Sequence, residues 1–365
     1  MVKVRSGVNE LKVYRPGKPI EEVERELGIS DVMKMASNEN PLGPSPLALE
    51  AIQETLGKIN LYPDGNGYYL KQDLARHWGV EPEQVVLGNG SDEIVQLIAM
   101  AFINEGDEAI MATPSFPRYE PVVRLMGGVA REVPLKDHRH DLEAMAALIN
   151  EKTRLIFICN PNNPTGTIVT KDEVKAFLAR VPREVIVVFD EAYFEYVQDS
   201  TYPDGLDYLR QGREVIVLRT FSKAYGLAGL RVGYALTTPE IADYLNRVRP
   251  PFNVDMLAQV AARAALKDRE FLQRVVTANE EGKQFFYREL ERRGIPYIPT
   301  WANFLMLDTG VDSVRLFQEM LRRGVIVRSG DIFAMPTWIR VTVGRPEENE
   351  RFFAVLDEVL PGLRK

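Results

Sequence analysis

The 365-residue chain contains one cysteine, three histidines and three tryptophans. Lone Cys159 has no partner for an internal disulfide. It lies in the apolar run RLIFICNP, which reads as a small buried side chain and fits a reducing, cytoplasmic setting. His77, His138 and His140 form no cluster with metal-ligand spacing, so no metal site is expected; the stretch KDHRHD reads as a solvated loop. Positive charge is not in excess either. Lys and Arg total 45 against 52 Asp and Glu, a net charge of −7, so there is no basic field to attract nucleic acid or an anionic membrane. No run approaches the roughly 18 apolar residues of a spanning helix, and the opening MVKVRSGVNELKVYRPGK has no apolar signal core. Internal repeats, low-complexity tracts and a phosphate-loop motif are missing as well; GNGSDE fails the G-x-G-x-x-G spacing because residue 93 is Glu.

What is there is a globular composition, 45% hydrophobic, with length enough for a large domain and a smaller companion. Residues 1–30 read as an arm, with Pro16, Gly17 and Pro19 followed by a short helix IEEVEREL closed by Gly28, and this arm is expected to pack beside the smaller domain. From residue 85 a strand–turn–helix rhythm sets in: QVVLGNGSDE, DEAIMATPSF, TRLIFICNPNNPTG, EVIVVFDEAY, EVIVLRTFSK and RVGYALTT. The runs IFIC, VIVVF and VIVL are continuous rather than alternating, as in strands buried on both faces. The expected architecture is α/β, a mostly parallel sheet flanked by helices over residues 31–255. The charged amphipathic segments and strand-like pieces of 256–365 then form a smaller α+β domain.

Ligands of open α/β sheets bind beyond the carboxyl ends of strands. Pooled there are Gly90, Ser91 and Asp92 opening a helix, Phe116, Asn163, Asp190 and Tyr193, and Thr220, Ser222 and Lys223 with Arg231 eight residues on. A helix start with free N–H groups favours an anion such as phosphate, which Thr220, Ser222 and Arg231 can also hold. Asp190 ends an apolar strand, where a carboxylate needs a partner; a protonated ring nitrogen is one. Tyr193 and Asn163 suit an oxygen of the same ring, Phe116 its face. The Asn163–Pro164 bond is open to either isomer. Lys223, desolvated and near an arginine, favours its neutral amine, which adds to a carbonyl. Phosphate site, ring acid, oxygen donors, stacking ring and amine together describe pyridoxal 5′-phosphate (PLP).

The motifs NPTG (163–166), DEAY (190–193) and SKAYGLAGLRVGY (222–234) resemble fold type I PLP-dependent aminotransferases across nearly the whole chain. YRPGKPIEEVERELG (14–28), ASNENPLGPSP (36–46), LYPDGNGYYLKQDLA (61–75) and WIRVTVGR (338–345) look more narrowly like histidinol-phosphate aminotransferases. The resemblance implies Lys223 as the Schiff-base lysine and a homodimer with shared active sites, in which Tyr62 reaches the cofactor phosphate of the neighbouring subunit. It also implies Arg328 and Arg340 as binders of anionic substrate groups, with Tyr14 and Asn40 as further substrate contacts. Phe116 stands where relatives often carry Tyr. The substrates would be a small-molecule amino donor and a 2-oxo acid. Alternatives are an aromatic or broad-specificity aminotransferase, a threonine-phosphate decarboxylase, a PLP-sensing regulator and a plain nucleotide-binding domain; the regulator would need a DNA-binding module, for which residues 1–30 are too short.

Overall fold

In the computed structural model, residues 2–11, 13 and 17–364 are described. Among the described residues thirteen strands fall into three sheets. The central one contains β2 (Val85–Gly88), β3 (Glu108–Thr113), β4 (Val129–Pro134), β5 (Thr153–Cys159), β6 (Ile186–Asp190), β7 (Val215–Thr220) and β8 (Gly233–Leu236), in the order β2-β8-β7-β6-β5-β3-β4. Every pairing among β3 to β7 is parallel, while β8 runs antiparallel to both β2 and β7. The expected parallel character therefore holds with one inversion. Residues 221–232 contain only the short turn Ala228–Leu230 and no helix to cross the sheet, so the chain re-enters beside β7 in the opposite direction. Because β2 is antiparallel to β8, it points the same way as β7. The carboxyl ends of β2, β5, β6 and β7 share one edge.

The continuous apolar runs are buried on both faces, as their composition requires. Ile156, Ile158, Val187 and Phe189 enter one core, whereas Leu155, Phe157, Val188 and Leu218 enter the other. β4 was not anticipated. It is an edge strand with an exposed, polar pattern, which carries no buried-strand signal.

The smaller domain holds the antiparallel sheet β12-β13-β10-β9, made of β9 (Tyr297–Ile298), β10 (Phe304–Asp308), β12 (Arg328–Ser329) and β13 (Trp338–Thr342). Beside it β1 (Met33–Lys34) pairs parallel with β11 (Val325–Ile326). This pairing ties residues beyond 30 to the smaller domain. The arm itself divides: Val23 packs in a cluster with Leu321 and Ile326, but Gly7 lies against the Arg124 backbone of the larger domain. Just past the expected 255/256 boundary, Ala258, Ala261, Ala262 and Ala265 of the helix Met256–Lys267 are buried in the core cluster of the central sheet. The next helix, Arg269–Arg293, joins the two bodies: Phe271 and Val275 pack with Tyr193 and Phe304, while Phe286 and Leu290 belong to the small-domain core.

Candidate active site

A cavity of about 410 Å³ opens at the shared strand edge, between the sheet and the smaller domain. Ser91, Asp92, Phe116, Asn163, Asp190, Tyr193, Thr220, Ser222, Lys223, Arg231, Arg328 and Arg340 all line it. Five chain segments far apart in sequence thus converge as the strand-end argument expected.

One end is built for an anion. Gly90 caps the helix Ser91–Phe102 with φ of 77°, a left-handed value that favours glycine. A Cβ there would stand 2.4 Å from Arg231 Nη2, so only glycine lets the guanidinium lie across the helix start. Ser91 is the first helical residue rather than the cap, which leaves its N–H and that of Asp92 without intrahelical acceptors. The Asp92 carboxylate accepts from Arg118 Nε at 2.7 Å. Arg231 Nη1 donates to Ser222 Oγ at 3.3 Å, and Ser222 N donates to Thr220 Oγ1 at 3.1 Å.

At the opposite end, Asp190 is almost fully buried and accepts from Tyr119 Oη at 2.7 Å and from Ala192 N at 3.3 Å. Burial pushes its carboxyl up to about 6, against the opposing pull of the Tyr119 donation. Lys223 lies on the cavity wall and donates to the Ser37 carbonyl at 3.1 Å. Burial, followed by the Arg340 charge, brings its ammonium down to about 8. The side chain keeps partial access to the cavity, which moderates the desolvation.

Asn163 Oδ1 accepts from Arg340 Nη1, which fixes the amide orientation and leaves Nδ2 as its donor end. The Asn163–Pro164 bond is trans; the cis bonds are Thr113–Pro114 and Asn160–Pro161. Tyr193 Oη accepts from Asn38 Nδ2 at 2.9 Å, and burial raises its phenol. Phe116 meets Tyr119 edge-on, with centroids 5.4 Å apart, and keeps a face on the cavity. Arg328 and Arg340 stand directly opposite each other on β12 and β13. Both line the cavity, where two guanidinium groups side by side suit an anionic group.

Not every expectation converges. Asn40 is absent from the cavity lining: its Nδ2 donates to the Ala224 carbonyl at 2.9 Å and its Oδ1 accepts from Leu42 N. The cavity asparagine is Asn38, two residues earlier, held in the left-handed region at φ 56°. In the run SNEN only three-dimensional register separates them. Tyr62 is 81% exposed and stacks on Phe252, away from this chain's own cavity. Tyr14 lies outside the described residues. His138 is exposed as expected, but His140 is buried; its Nε2 lies 3.1 Å from Asn162 Oδ1, and desolvation lowers its pKa to about 4. Tyr119 and Arg118 were missed, although RY in PSFPRYEP follows the singled-out Phe116 at near-helical spacing.

The donor set fits PLP. The glycine-cleared helix start with Arg231 suits a phosphate, the carboxylate of Asp190 a ring nitrogen, and the depressed amine of Lys223 an aldehyde. Sheet and site together define an enzyme of the fold type I transferase architecture. The chain belongs to the family Aminotransferase class I and II, whose profile matches residues 30–356. Among curated relatives, "Histidinol-phosphate aminotransferase 2" of Carboxydothermus hydrogenoformans is 58% identical, with 98% of this chain and 99% of the relative covered. The "Histidinol-phosphate aminotransferase" of Moorella thermoacetica is 55% identical, with 98% and 93% covered. Among solved structures, histidinol-phosphate aminotransferase from Sinorhizobium meliloti in complex with pyridoxal-5'-phosphate superposes with a TM-score of 0.91 at 30% identity, covering 100% of this chain and 99% of that one.

Proposed function

We propose that the chain is a PLP-dependent aminotransferase that moves the amino group of L-histidinol phosphate to 2-oxoglutarate, giving imidazole acetol phosphate and L-glutamate. The observation that carries the substrate class is the register of Arg328 opposite Arg340. One forked-cation pair can hold a phosphate in one half-reaction and a carboxylate in the other.

Bound PLP supplies an electrophilic carbonyl and a ring that accepts electrons from the bond broken at the substrate Cα. The protein does the rest. The Ser91 and Asp92 N–H groups, Thr220, Ser222 and Arg231 hold the phosphate, and Gly90 clears the approach. Asp190 keeps a proton on the ring nitrogen, while Asn163 and Tyr193 donate to the ring oxygen. Phe116 covers a ring face. Lys223 would take the proton from the substrate Cα and return it two atoms along, at the carbon that was the cofactor's carbonyl; an amine poised near 8 does this without a large penalty at neutral pH. Segment 36–38 is held against the site from both ends: Arg340 Nη2 donates to the Ala36 carbonyl at 2.8 Å and Asn38 Nδ2 donates to Tyr193 Oη at 2.9 Å, which sets the Ser37 carbonyl where it accepts from Lys223.

The working unit in this reading is a homodimer in the cytoplasm. Leu56, Ile59, Leu61, Tyr62, Tyr68 and Tyr69 leave large apolar side chains exposed within one short run of sequence, and Phe252 stacks on Tyr62, which suits burial against a second copy. That arrangement would carry Tyr62 to the phosphate end of the adjoining site. The buried thiol of Cys159 fits a reducing compartment.

The test is a steady-state comparison of histidinol phosphate, phenylalanine, tyrosine and threonine phosphate, each with 2-oxoglutarate. Preference for histidinol phosphate supports the reading. Equal rates on the aromatic amino acids, or CO2 release from threonine phosphate without amino transfer, would replace it. Sedimentation equilibrium of the wild-type chain tests the dimer.

A further inference from the structure

The polar partner that Asp190 uses inside the protein is Tyr119, a residue not among those assigned to the cofactor. Its ring is fixed before the hydroxyl does anything. Tyr119 is 1% exposed and stacks on Phe157 of β5, with centroids 4.5 Å apart and planes 12° from parallel. Phe116, edge-on at 5.4 Å, closes another side. The ring is packed on both of these sides, which fixes where its oxygen lies. From that fixed position Oη donates to Asp190 Oδ2 at 2.7 Å. Oδ1 accepts only the longer bond from Ala192 N at 3.3 Å. One carboxylate oxygen is thus held by the protein, and the other keeps spare accepting capacity beside the cavity.

We propose that Tyr119 is a positioning residue for the cofactor: its hydroxyl orients the Asp190 carboxylate and stabilises its charge, so that the carboxylate meets the pyridine nitrogen as an anion. The inference rests on the PLP reading of the site. The ionisable groups around Asp190 are Tyr119, Cys159, Tyr193, Asp92 and Lys223. Burial and Asp92 oppose the charge; Tyr119 is the foremost favourable side-chain contact, ahead of the more distant Lys223. Without that hydroxyl a buried carboxylate would take up a proton, and a neutral acid cannot hold a second proton on the ring.

The experiment compares Tyr119→Phe with wild type in the full chain loaded with PLP labelled with ¹⁵N in the ring. The substitution keeps the stack on Phe157 and removes one oxygen. The expected result is a ring-nitrogen signal that loses its proton about one pH unit lower, with PLP dissociation roughly ten-fold weaker by equilibrium dialysis. A mere packing role would lower the melting temperature and leave both readouts in place; that outcome overturns the proposal. Replacing Tyr119 by 3-fluorotyrosine, a stronger donor of the same shape, should shift the nitrogen titration the opposite way, and it serves if the phenylalanine protein folds poorly. Asp190→Asn separates the two levels of the reading. If it abolishes ring protonation while Tyr119→Phe does not move it, the Tyr119 inference fails and the cofactor reading stands. If Asp190→Asn changes neither PLP affinity nor the nitrogen signal, the cofactor reading itself fails.

Discussion

The ends of β6 and β7 present two faces that differ by a single residue step. Asp190 and Thr220 point to the cavity. Their chain neighbours Glu191 and Arg219 point to the opposite side, where Arg219 donates from Nε and Nη2 to Glu191 Oε2 at 3.0 and 2.7 Å and from Nη2 to Asp204 at 2.8 Å. The guanidinium is wholly buried between the rings of Trp78 and Phe194, at 3.9 and 3.5 Å. On that side charge is met by charge and covered by aromatic faces. Burial displaces the ionisation of both faces, since it pushes Glu191 up to about 7 as it pushes Asp190 up to about 6; the difference is that Asp190 and Lys223 line an open cavity, whereas Glu191 is closed in against Arg219. The same strand ends thus carry a structural clamp on one face and a cavity-lining set on the other. The clamp fixes the spacing of the strands that the cavity-lining set needs.

The comparison can be broken from either side. Lys223→Ala should lower transamination by roughly a thousand-fold or more, because the proton carrier at Cα is gone, while the melting temperature stays near wild type; steady-state rates with calorimetry check this. On the other face Arg219→Met leaves Glu191 and Asp204 unpaired and should cost about 3–5 kcal/mol of stability, read by urea unfolding. A small loss there would mean that the clamp is not structural.

Two milder variants sharpen the distinction. Arg231→Ala removes one charged contact to the phosphate and should weaken PLP retention by about 2 kcal/mol in equilibrium dialysis, with little effect on unfolding of the cofactor-free protein. Asp190→Asn should change stability with pH. Burial pushes the folded carboxyl up to about 6, above the ordinary aspartate range of the unfolded chain, so its favourable contribution is complete at low pH and is lost as pH rises through about 6. The cofactor-free asparagine variant should therefore gain about 2–3 kcal/mol relative to wild type between pH 4 and pH 8. A flat difference across that range refutes the sign.

Much of this was legible in the sequence because the cavity face uses residue types that an apolar strand end does not tolerate without a reason. Asp190 after VIVVF and Lys223 between hydroxyls are conspicuous on that account, and they do converge. What sequence left dark depends on register and crossing. Asn38 and Asn40 share one short run, and only the left-handed turn at Asn38 selects which faces the cavity. Tyr119 opens a short helix and only its ring reaches β5, at Phe157, so its link to Asp190, 71 positions away, has no local signature. His140 sits in a charged string that reads as solvated, yet its ring turns inward to Asn162. The direction of β8 follows from the missing crossover helix, which strand-like composition does not report. The alanines of Met256–Lys267 suit either domain, so packing alone places them in the core cluster of the central sheet.

The helix Arg269–Arg293 has one further consequence. Its 25 residues form an unbroken rod about 37 Å long, and its two ends are embedded in different bodies. A rod of that kind transmits torque but does not fold in the middle. Any swing of the smaller domain must pivot at its Asp268 end, where the capping carboxylate also receives the Ser45 hydroxyl at 2.5 Å, and must displace the far tip, near Gly294, by the greatest arc.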